Sequence, residues 1–313
     1  MQRRERRRFM CRLFKAAHRF PQRISNLFMY KCLNYIWRLC ATALSYICFG
    51  LGGLVLWIVV FPALSLFVRD RQRLSIAARW VIRQTFRAFV GLMHRLGIFT
   101  YETHGLDRLN RHGLLILANH PTLIDVVFLI SFTARADCVV KARLATNPFT
   151  RGPVTAAGFI HNNAGPELVS DSVASLRAGN NLIIFPEGTR TPMDGTLAKL
   201  QRGASNVAVR GEVDVTPVLI QCNPLMLVKG VPWWKIPGNR PHFRIEVRED
   251  LPIASLTGPC ASDALAVRRL TERLTDYFIT EIHSGPGHTN ARTRNQGTHH
   301  QFPCVGEHNG QRH

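Results

Sequence analysis

The sequence predicts an α/β domain, a mixed and largely parallel β-sheet flanked by helices, joined to an N-terminal membrane-anchoring helical segment. Three observations predict it. From about residue 100, short β-branched and apolar runs alternate with helical patterns, the order that builds a sheet covered on both faces. Residues 39–68 contain no charged side chain. The formal charge of +20 is concentrated ahead of the domain: residues 1–38 carry nine Arg, two Lys and one Glu, and residues 69–95 carry seven Arg and one Asp. A chain of 313 residues, 46% of them hydrophobic, suffices for the core of one such domain with extra segments at its ends.

Residues 1–38 read as a basic arm. Clustered Arg meets either nucleic acid or the anionic face of a membrane, and the neighbouring segment decides between them. LCATALSYICFGLGGLVLWIVVFPALSLFV has 30 residues, more than the roughly 20 that cross a hydrocarbon layer. It has no small-residue cleavage pattern and 38 residues precede it, so it reads as a retained anchor rather than a signal peptide. Both flanks are basic, which favours keeping both on the cytoplasmic side. Gly50, Gly52 and Gly53, with Pro62 beyond, are positions where the segment would break into two shorter helices that dip in and return. A re-entrant anchor is the expectation, ahead of a simple span. In RDRQRLSIAARWVIRQTFRAFVGLMHR, Arg recurs every three or four residues between Ile76, Trp80, Phe86, Phe89 and Leu92. That is the pattern of a helix at a lipid interface, or else of a helix packed on a domain; residues 39–95 are read as anchor plus interfacial helix. The eight Cys include no C-x-x-C pair, which fits a reducing compartment and gives no paired-cysteine zinc or redox site. The start MQRRERRRFMCR also raises a membrane-bound nucleic-acid-binding protein. That reading is disfavoured, because the arm abuts an apolar segment and no nucleic-acid module follows.

Residues 96–283 are read as the catalytic domain. GLLILANH, DCVVKA, GFIHN, NLIIFPEG, VDVTPVLIQC and HFRIEVRE are the expected strands, and 123–133, 166–178, 203–210 and 261–281 the expected helices. Residues 284–313 are rich in Gly, His, Asn, Arg and Thr and read as a disordered tail, with His299 and His300 solvated rather than metal-binding.

In such sheets ligands bind beyond the carboxyl ends of the strands, where two polar groups of residues stand. The first is Asn119-His120-Pro121-Thr122-Leu123-Ile124-Asp125 after the strand GLLILA. If a helix begins near Pro121, the Asp125 carboxylate folds back one turn towards the His120 imidazole. A carboxylate on one ring nitrogen fixes the tautomer and leaves the other nitrogen free to take a proton from a hydroxyl. The second is Phe185-Pro186-Glu187-Gly188-Thr189-Arg190 after NLIIF: an acid and a cation at the end of a buried strand, with Gly188 allowing a tight turn. A structural ion pair between Glu187 and Arg190 is the plain alternative. Neither a G-x-S-x-G elbow, nor HExxH, nor G-x-x-x-x-G-K occurs, which disfavours a hydrolase of the first type, a metalloprotease and a phosphate-loop nucleotidase.

NHPTLID and FPEGTR in this order, their His120 and Phe185 65 residues apart, together with VTPVLI from Val215, resemble the glycerolipid acyltransferases. The resemblance covers roughly residues 100–250. It implies the glycerol-3-phosphate acyltransferase-like form of the fold, and an enzyme that moves a fatty acyl group from acyl-CoA or acyl carrier protein to the free hydroxyl of a lyso-lipid, by family pattern 1-acyl-sn-glycerol-3-phosphate, giving phosphatidic acid. It implies catalytic roles for His120 as base and Asp125 as its orienting partner, and acceptor binding by Glu187, Gly188, Thr189 and Arg190. It places Pro217 near the acyl or acceptor site. Thr122 is a further hydrogen-bonding candidate there, with local capping as the alternative. Gly158-Phe159-Ile160-His161-Asn162-Asn163 stands where the family has an Ile-Asp-Arg type sequence, with Asn162 in place of the Arg. A neutral amide does not make the charged, bidentate contact that suits Arg to phosphate, so an acceptor without phosphate, such as lyso-ornithine lipid, is the alternative. Lys141 and Arg151 upstream are the cations that would compensate. The resemblance implies a lyso-lipid acceptor and membrane lipids as partners; no cofactor, no metal and no nucleic acid are expected, and the basic flanks place the enzyme at the cytoplasmic membrane with its domain facing the cytoplasm.

Overall fold

The computed structural model describes residues 2–141, 143–147, 149–162, 166–192 and 199–284. The tail reading therefore falls, beyond Ser284, outside the described residues, and His299 and His300 with it.

Seven described strands form one sheet: β1 (Thr100–His104), β2 (Leu115–Ala118), β3 (Ala136–Val140), β4 (Ile160–His161), β5 (Asn181–Ile184), β6 (Val215–Asn223) and β7 (His242–Val247). Their order is β1-β7-β6-β2-β5-β3-β4. β6, β2, β5, β3 and β4 are mutually parallel, and β7 joins antiparallel to β6 with β1 parallel beside it. The sheet is thus mixed and largely parallel, as the alternating pattern predicts. The six expected strands are present; β1 is additional. TYETH alternates no apolar set and is only half-buried at the sheet's edge, so it gives little signal in sequence.

The central strands are apolar throughout because both faces are covered. On β2 and β5, Ile116, Ala118 and Ile183 belong to one core, and Leu115, Leu117, Leu182 and Ile184 to the other, as a two-residue period requires. The helices are α1 (Gln2–Val55), then a π-helical turn (Leu56–Val60), α2 (Phe61–Phe67), α3 (Arg71–Arg95), α4 (Asp125–Phe132), α5 (Arg143–Thr146), α6 (Arg151–Ala157), α7 (Pro166–Arg177), α8 (Arg202–Gly211), α9 (Ile253–Thr257) and α10 (Asp263–Ser284). The first core packs beneath α3, α4 and α6; the second beneath α7, α8 and α10.

The N-terminal helices correct one expectation. The chain does not break at Gly50, Gly52 and Gly53: α1 runs through them, and Pro62 enters the first turn of α2, where a missing N–H costs little. Two glycines serve close approach instead. A Cβ on Gly53 would stand 2.2 Å from the Phe149 carbonyl oxygen, and one on Gly152 would stand 2.3 Å from the Trp57 Cβ, so glycine is what lets the segment seat on α6. The chain reverses only at residues 68–70, where Asp70 accepts from the Arg73 amide at 2.9 Å and caps α3. Among the described residues one helical stretch, Met29–Phe67, is long and apolar enough to cross a membrane. It is two-faced. Arg38, Ala41, Thr42, Ser45, Leu56 and Phe61 are buried against protein, while Leu33, Leu44, Ile47, Leu51, Val55 and Ile58 are exposed.

The apolar stripe of α3 is largely turned to protein. Ala78, Ile82, Val90 and Met93 are buried, Phe86 and Phe89 meet Phe49 of α1, and Trp80 stays exposed. Arg79 reaches into the domain, pairing with Asp137 at 2.8 Å and donating to the Ala157 carbonyl at 3.0 Å. Such a pair, buried on both sides, adds little net stability, because the desolvation of both charges offsets their attraction.

Candidate active site

Two loops leave the carboxyl ends of adjacent strands and clasp each other. Asn119, just past β2, donates through Nδ2 to the Ile220 carbonyl at 2.8 Å and accepts at Oδ1 from the Ile220 amide at 2.7 Å. Its side chain extends the β2–β6 ladder by one rung and sets the direction in which the chain leaves the sheet.

His120 follows. Its ring stacks on Phe185 at 4.2 Å between centroids, and Nδ1 lies 2.9 Å from Asp125 Oδ2. The helix starts at Asp125 and not near Pro121, so the two side chains do not share a helix. The carboxylate reaches back across the turn from the first turn of α4, where the helix dipole favours its charge. Asp125 is fully buried; Oδ2 also accepts from the Thr122 amide at 2.6 Å, and Oδ1 from the Thr122 hydroxyl. Burial raises the Asp125 carboxyl above its ordinary range, opposed by His120 and by both Thr122 donors. With those donors on the carboxylate, Nδ1 is the ring nitrogen assigned the proton and Nε2 is left as an acceptor.

Glu187 supports the same histidine from β5. Its Oε1 accepts from the His120 amide at 2.9 Å, and the Thr191 hydroxyl donates to its carboxylate at 3.1 Å. The Thr191 amide in turn donates to the His120 carbonyl at 2.8 Å. The His120 backbone is therefore held on both sides by the β5 loop. Burial raises the Glu187 carboxyl, against the His120 amide and the Thr191 hydroxyl. Gly188 makes the turn at φ +66°, and Thr189 lies half-buried beside it. Arg190 does not pair with Glu187. Its Nη1 donates to the Leu227 carbonyl at 3.0 Å, an oxygen that also accepts from the Leu123 amide at 3.1 Å; Nε and Nη2 have no partner among the described residues.

A cavity of about 370 Å³ lies between α1, α3, α4 and α6, within the size range of ligand pockets. Its wall is almost wholly apolar, with Leu123, Ile124 and Leu227 at the His120–Asp125 turn and Phe49, Gly52 and Phe149 further in. Among the described residues no group of three or more His, Cys, Asp or Glu side chains is placed to hold a metal ion.

Residues 100–221 match the Acyltransferase family model, a span running from β1 through the two loops into β6. The 1-acyl-sn-glycerol-3-phosphate acyltransferase of Pseudomonas aeruginosa is 27% identical over 186 residues, covering 58% of this chain and 71% of the relative.

The chain is similar to the glycerolipid acyltransferases.

An enzyme of the same printed name from Helicobacter pylori is 24% identical over 175 residues, covering 54% of this chain and 70% of the relative. The crystal structure of the 1-acyl-sn-glycerophosphate (LPA) acyltransferase PlsC from Thermotoga maritima superposes with a TM-score of 0.60 over 80% of this chain and 98% of that one; at 20% identity it speaks for the fold. The protein is thus an acyltransferase with a PlsC-like fold.

Within this acyltransferase the structure assembles His120, Asp125, Glu187 and Arg190, with Gly188 and Thr189 in the turn between the last two. The other sequence-derived residues are placed as follows. Thr122 is buried and spends both donors on Asp125, so it holds the carboxylate rather than facing a substrate. Pro217 is buried inside β6, paired with Leu117, three residues short of the level of His120. Gly158 ends α6 in a left-handed turn at φ +63°. Asn162 is exposed at the end of β4, three strand spacings or roughly 14 Å from β2. Lys141 is exposed, and Arg151 lies over the Trp57 ring at 5.8 Å. Reading the sequence gave no role to Asn119, Phe185, Thr191 or Leu227. The first two sit inside the motifs, where a polar residue at a strand end and an aromatic one residue beyond a strand were available signals. Thr191 and the Leu227 carbonyl gave none.

Proposed function

We propose that the protein acylates a lyso-lipid hydroxyl, with 1-acyl-sn-glycerol-3-phosphate as acceptor and phosphatidic acid as product, using acyl-CoA or acyl carrier protein as donor and no cofactor. The observation that carries this reading is the His120–Asp125 pair, whose turn lends Leu123 and Ile124 to the wall of an apolar cavity, together with a half-free Arg190 held by the carbonyl of Leu227, which lines the same cavity. The acceptor hydroxyl gives its proton to His120 Nε2 as its oxygen attacks the thioester carbonyl. The C–O bond forms, the C–S bond breaks, and the proton passes to the departing thiolate. Asp125 holds the tautomer and stabilises the imidazolium. Glu187 is read as a positioning residue through the His120 amide, and Arg190 as the cation for the acceptor's phosphate, which suits a guanidinium with unpaired donors.

The apolar cavity is read as the site of the acyl chain. A Cβ on Gly52 meets nothing within 4 Å, so the position has room for a side chain that would shorten the cavity. Gly52→Leu should shift donor preference to shorter chains, with kcat/KM for the longest accepted thioester falling about tenfold or more relative to short ones. Competition among acyl thioesters of graded length reads this directly, and an unchanged length profile would remove the chain from this cavity.

The helix is read as lying along a membrane rather than across it. Its 39 residues from Met29 to Phe67 extend for about 58 Å, against about 30 Å of hydrocarbon, and one face is committed to the domain. In this reading the exposed stripe lies in one leaflet, the cytoplasmic one, consistent with basic residues at both ends. The acceptor is tested by presenting purified protein with labelled acyl thioester and a panel of lyso-lipids. The phosphate-bearing lysoglycerolipid should turn over fastest; faster turnover of a phosphate-free acceptor such as lyso-ornithine lipid, the possibility raised by Asn162, would overturn the assignment.

A further inference from the structure

Residues 224–241 connect β6 to β7, and the exposed side chains of this connection are unusual for a loop. The Lys235 amide donates to the Pro232 carbonyl at 3.0 Å, closing a turn whose two central residues are Trp233 and Trp234. Small polar residues are the rule in turns. Here the two indoles stand edge to face at 5.7 Å, with Trp234 53% exposed, and Leu225 is exposed nearby. Lys229 and Lys235 are exposed on either side of the pair.

The base of this loop is fastened to α1. Arg38, 2% exposed, donates to the carbonyls of Pro237 at 3.0 Å, Gly238 at 2.6 Å and Asn239 at 3.1 Å. Trp233 lies 5.4 Å from the Tyr46 ring, also on α1. Arg240 adds a bond to the Phe99 carbonyl at 2.8 Å. The exposed indole of Trp234 is therefore held in a fixed relation to α1, whose other face carries the exposed apolar stripe. Indole rings flanked by Lys form the composition that settles at a membrane–water boundary, the rings at headgroup level and the ammonium groups on phosphates.

We infer that residues 225–235 form a second lipid contact, in which Trp234 and Leu225 enter the boundary between headgroups and acyl chains while Lys229 and Lys235 engage the phosphates of anionic lipids. The inference rests on the reading that α1 lies on a membrane, and names the lipid chemistry met beside it. It also bears on the active site, since the same loop contains Leu227, whose carbonyl holds both Arg190 and the Leu123 amide. A surface that steadies the loop steadies the acceptor pocket.

The test uses the full chain on vesicles of phosphatidylcholine, with or without phosphatidylglycerol, some of the lipid brominated near the headgroup end of its chains. Trp234→Ala should remove part of the tryptophan quenching while the protein still floats with the vesicles. Lys229→Gln with Lys235→Gln should lower the preference for anionic over neutral vesicles, read as the ratio of kcat/KM for the acceptor, by about fivefold per lysine, with turnover in monodisperse detergent unchanged. A chain that does not float refutes the placement of α1 and this inference with it. A chain that floats, with quenching and vesicle preference identical in wild type and variants, overturns the loop contact alone. A lysine defect confined to reactions with an acidic carrier protein as donor assigns those residues to a protein partner and equally overturns it.

Discussion

Replacement of His120 by Ala is expected to lower kcat by about 10²–10⁴-fold, the span that a positioned general base contributes, while vesicle association and thermal stability stay near those of the parent. The loss falls on kcat because the imidazole acts on a proton in flight and contributes little to holding either substrate. Stability is protected by the arrangement around it. Asp125 keeps both Thr122 donors, and the Glu187 carboxylate bonds the residue 120 amide, which Ala retains. What is lost is the ring stack on Phe185 and the Nδ1 bond to Asp125 Oδ2. Steady-state transfer of labelled acyl groups to the preferred lyso-lipid measures the effect, and turnover within threefold of the parent would remove His120 from the mechanism.

Asp125→Asn should reduce kcat by about 10³–10⁴-fold for a different reason, by analogy with the serine-protease case in which an Asn partner imposes the wrong tautomer. With the Asn oxygen at the Oδ1 position, keeping the Thr122 hydroxyl and giving up the Thr122 amide bond, its NH₂ takes the Oδ2 position and turns to His120 Nδ1. That nitrogen must then accept, the ring proton moves to Nε2, and the atom facing the acceptor hydroxyl becomes a donor. The fold should tolerate the change. Burial raises the folded-state pKa of Asp125, so the native protein binds this proton more tightly than the unfolded chain does. The group's stabilising contribution is therefore complete below the unfolded value of about 3.9 and declines as pH rises from there through the raised folded value. The Asn variant carries no such proton, so its Tm relative to the parent should climb with pH across that window. A variant that loses activity only in proportion to lost folded protein would contradict the tautomer argument.

The pair that these predictions address was legible in the chain because it is local: His120 and Asp125 lie five residues apart, and the turn between them supplies Thr122 from within. The central strands β2 and β5 were legible because burial on both faces demands continuous apolar runs such as LLILA and NLIIF, and β7 by its alternation of buried and outward residues. β1 was not, since a half-exposed edge strand is under no such demand. The start of α4 was misplaced by several residues, because Pro121 is as suitable for a turn as for a helix, and the hydrogen bonds of Asp125 chose the turn. For Glu187 the resemblance implies acceptor binding, and the plain alternative was an ion pair with Arg190, which does not form. The bond of Glu187 to the His120 amide joins residues 67 apart, and no local pattern reports it.

By itself the sequence determined the α/β class, the apolar segment ahead of it, the two loops that hold the candidate site residues and the resemblance to an acyltransferase family, since each is set by side-chain type and short-range spacing. Tertiary structure alone decided that the glycines of α1 permit close packing instead of a break and that the α3 stripe faces protein. It also decided that a cavity among four helices is lined by Leu123 and Ile124 of the His120–Asp125 turn and that Leu227 braces Arg190. Those outcomes depend on which surfaces meet across separations of dozens to hundreds of residues. At such distances the free energy lies in the complementarity of packed faces, which no single segment encodes.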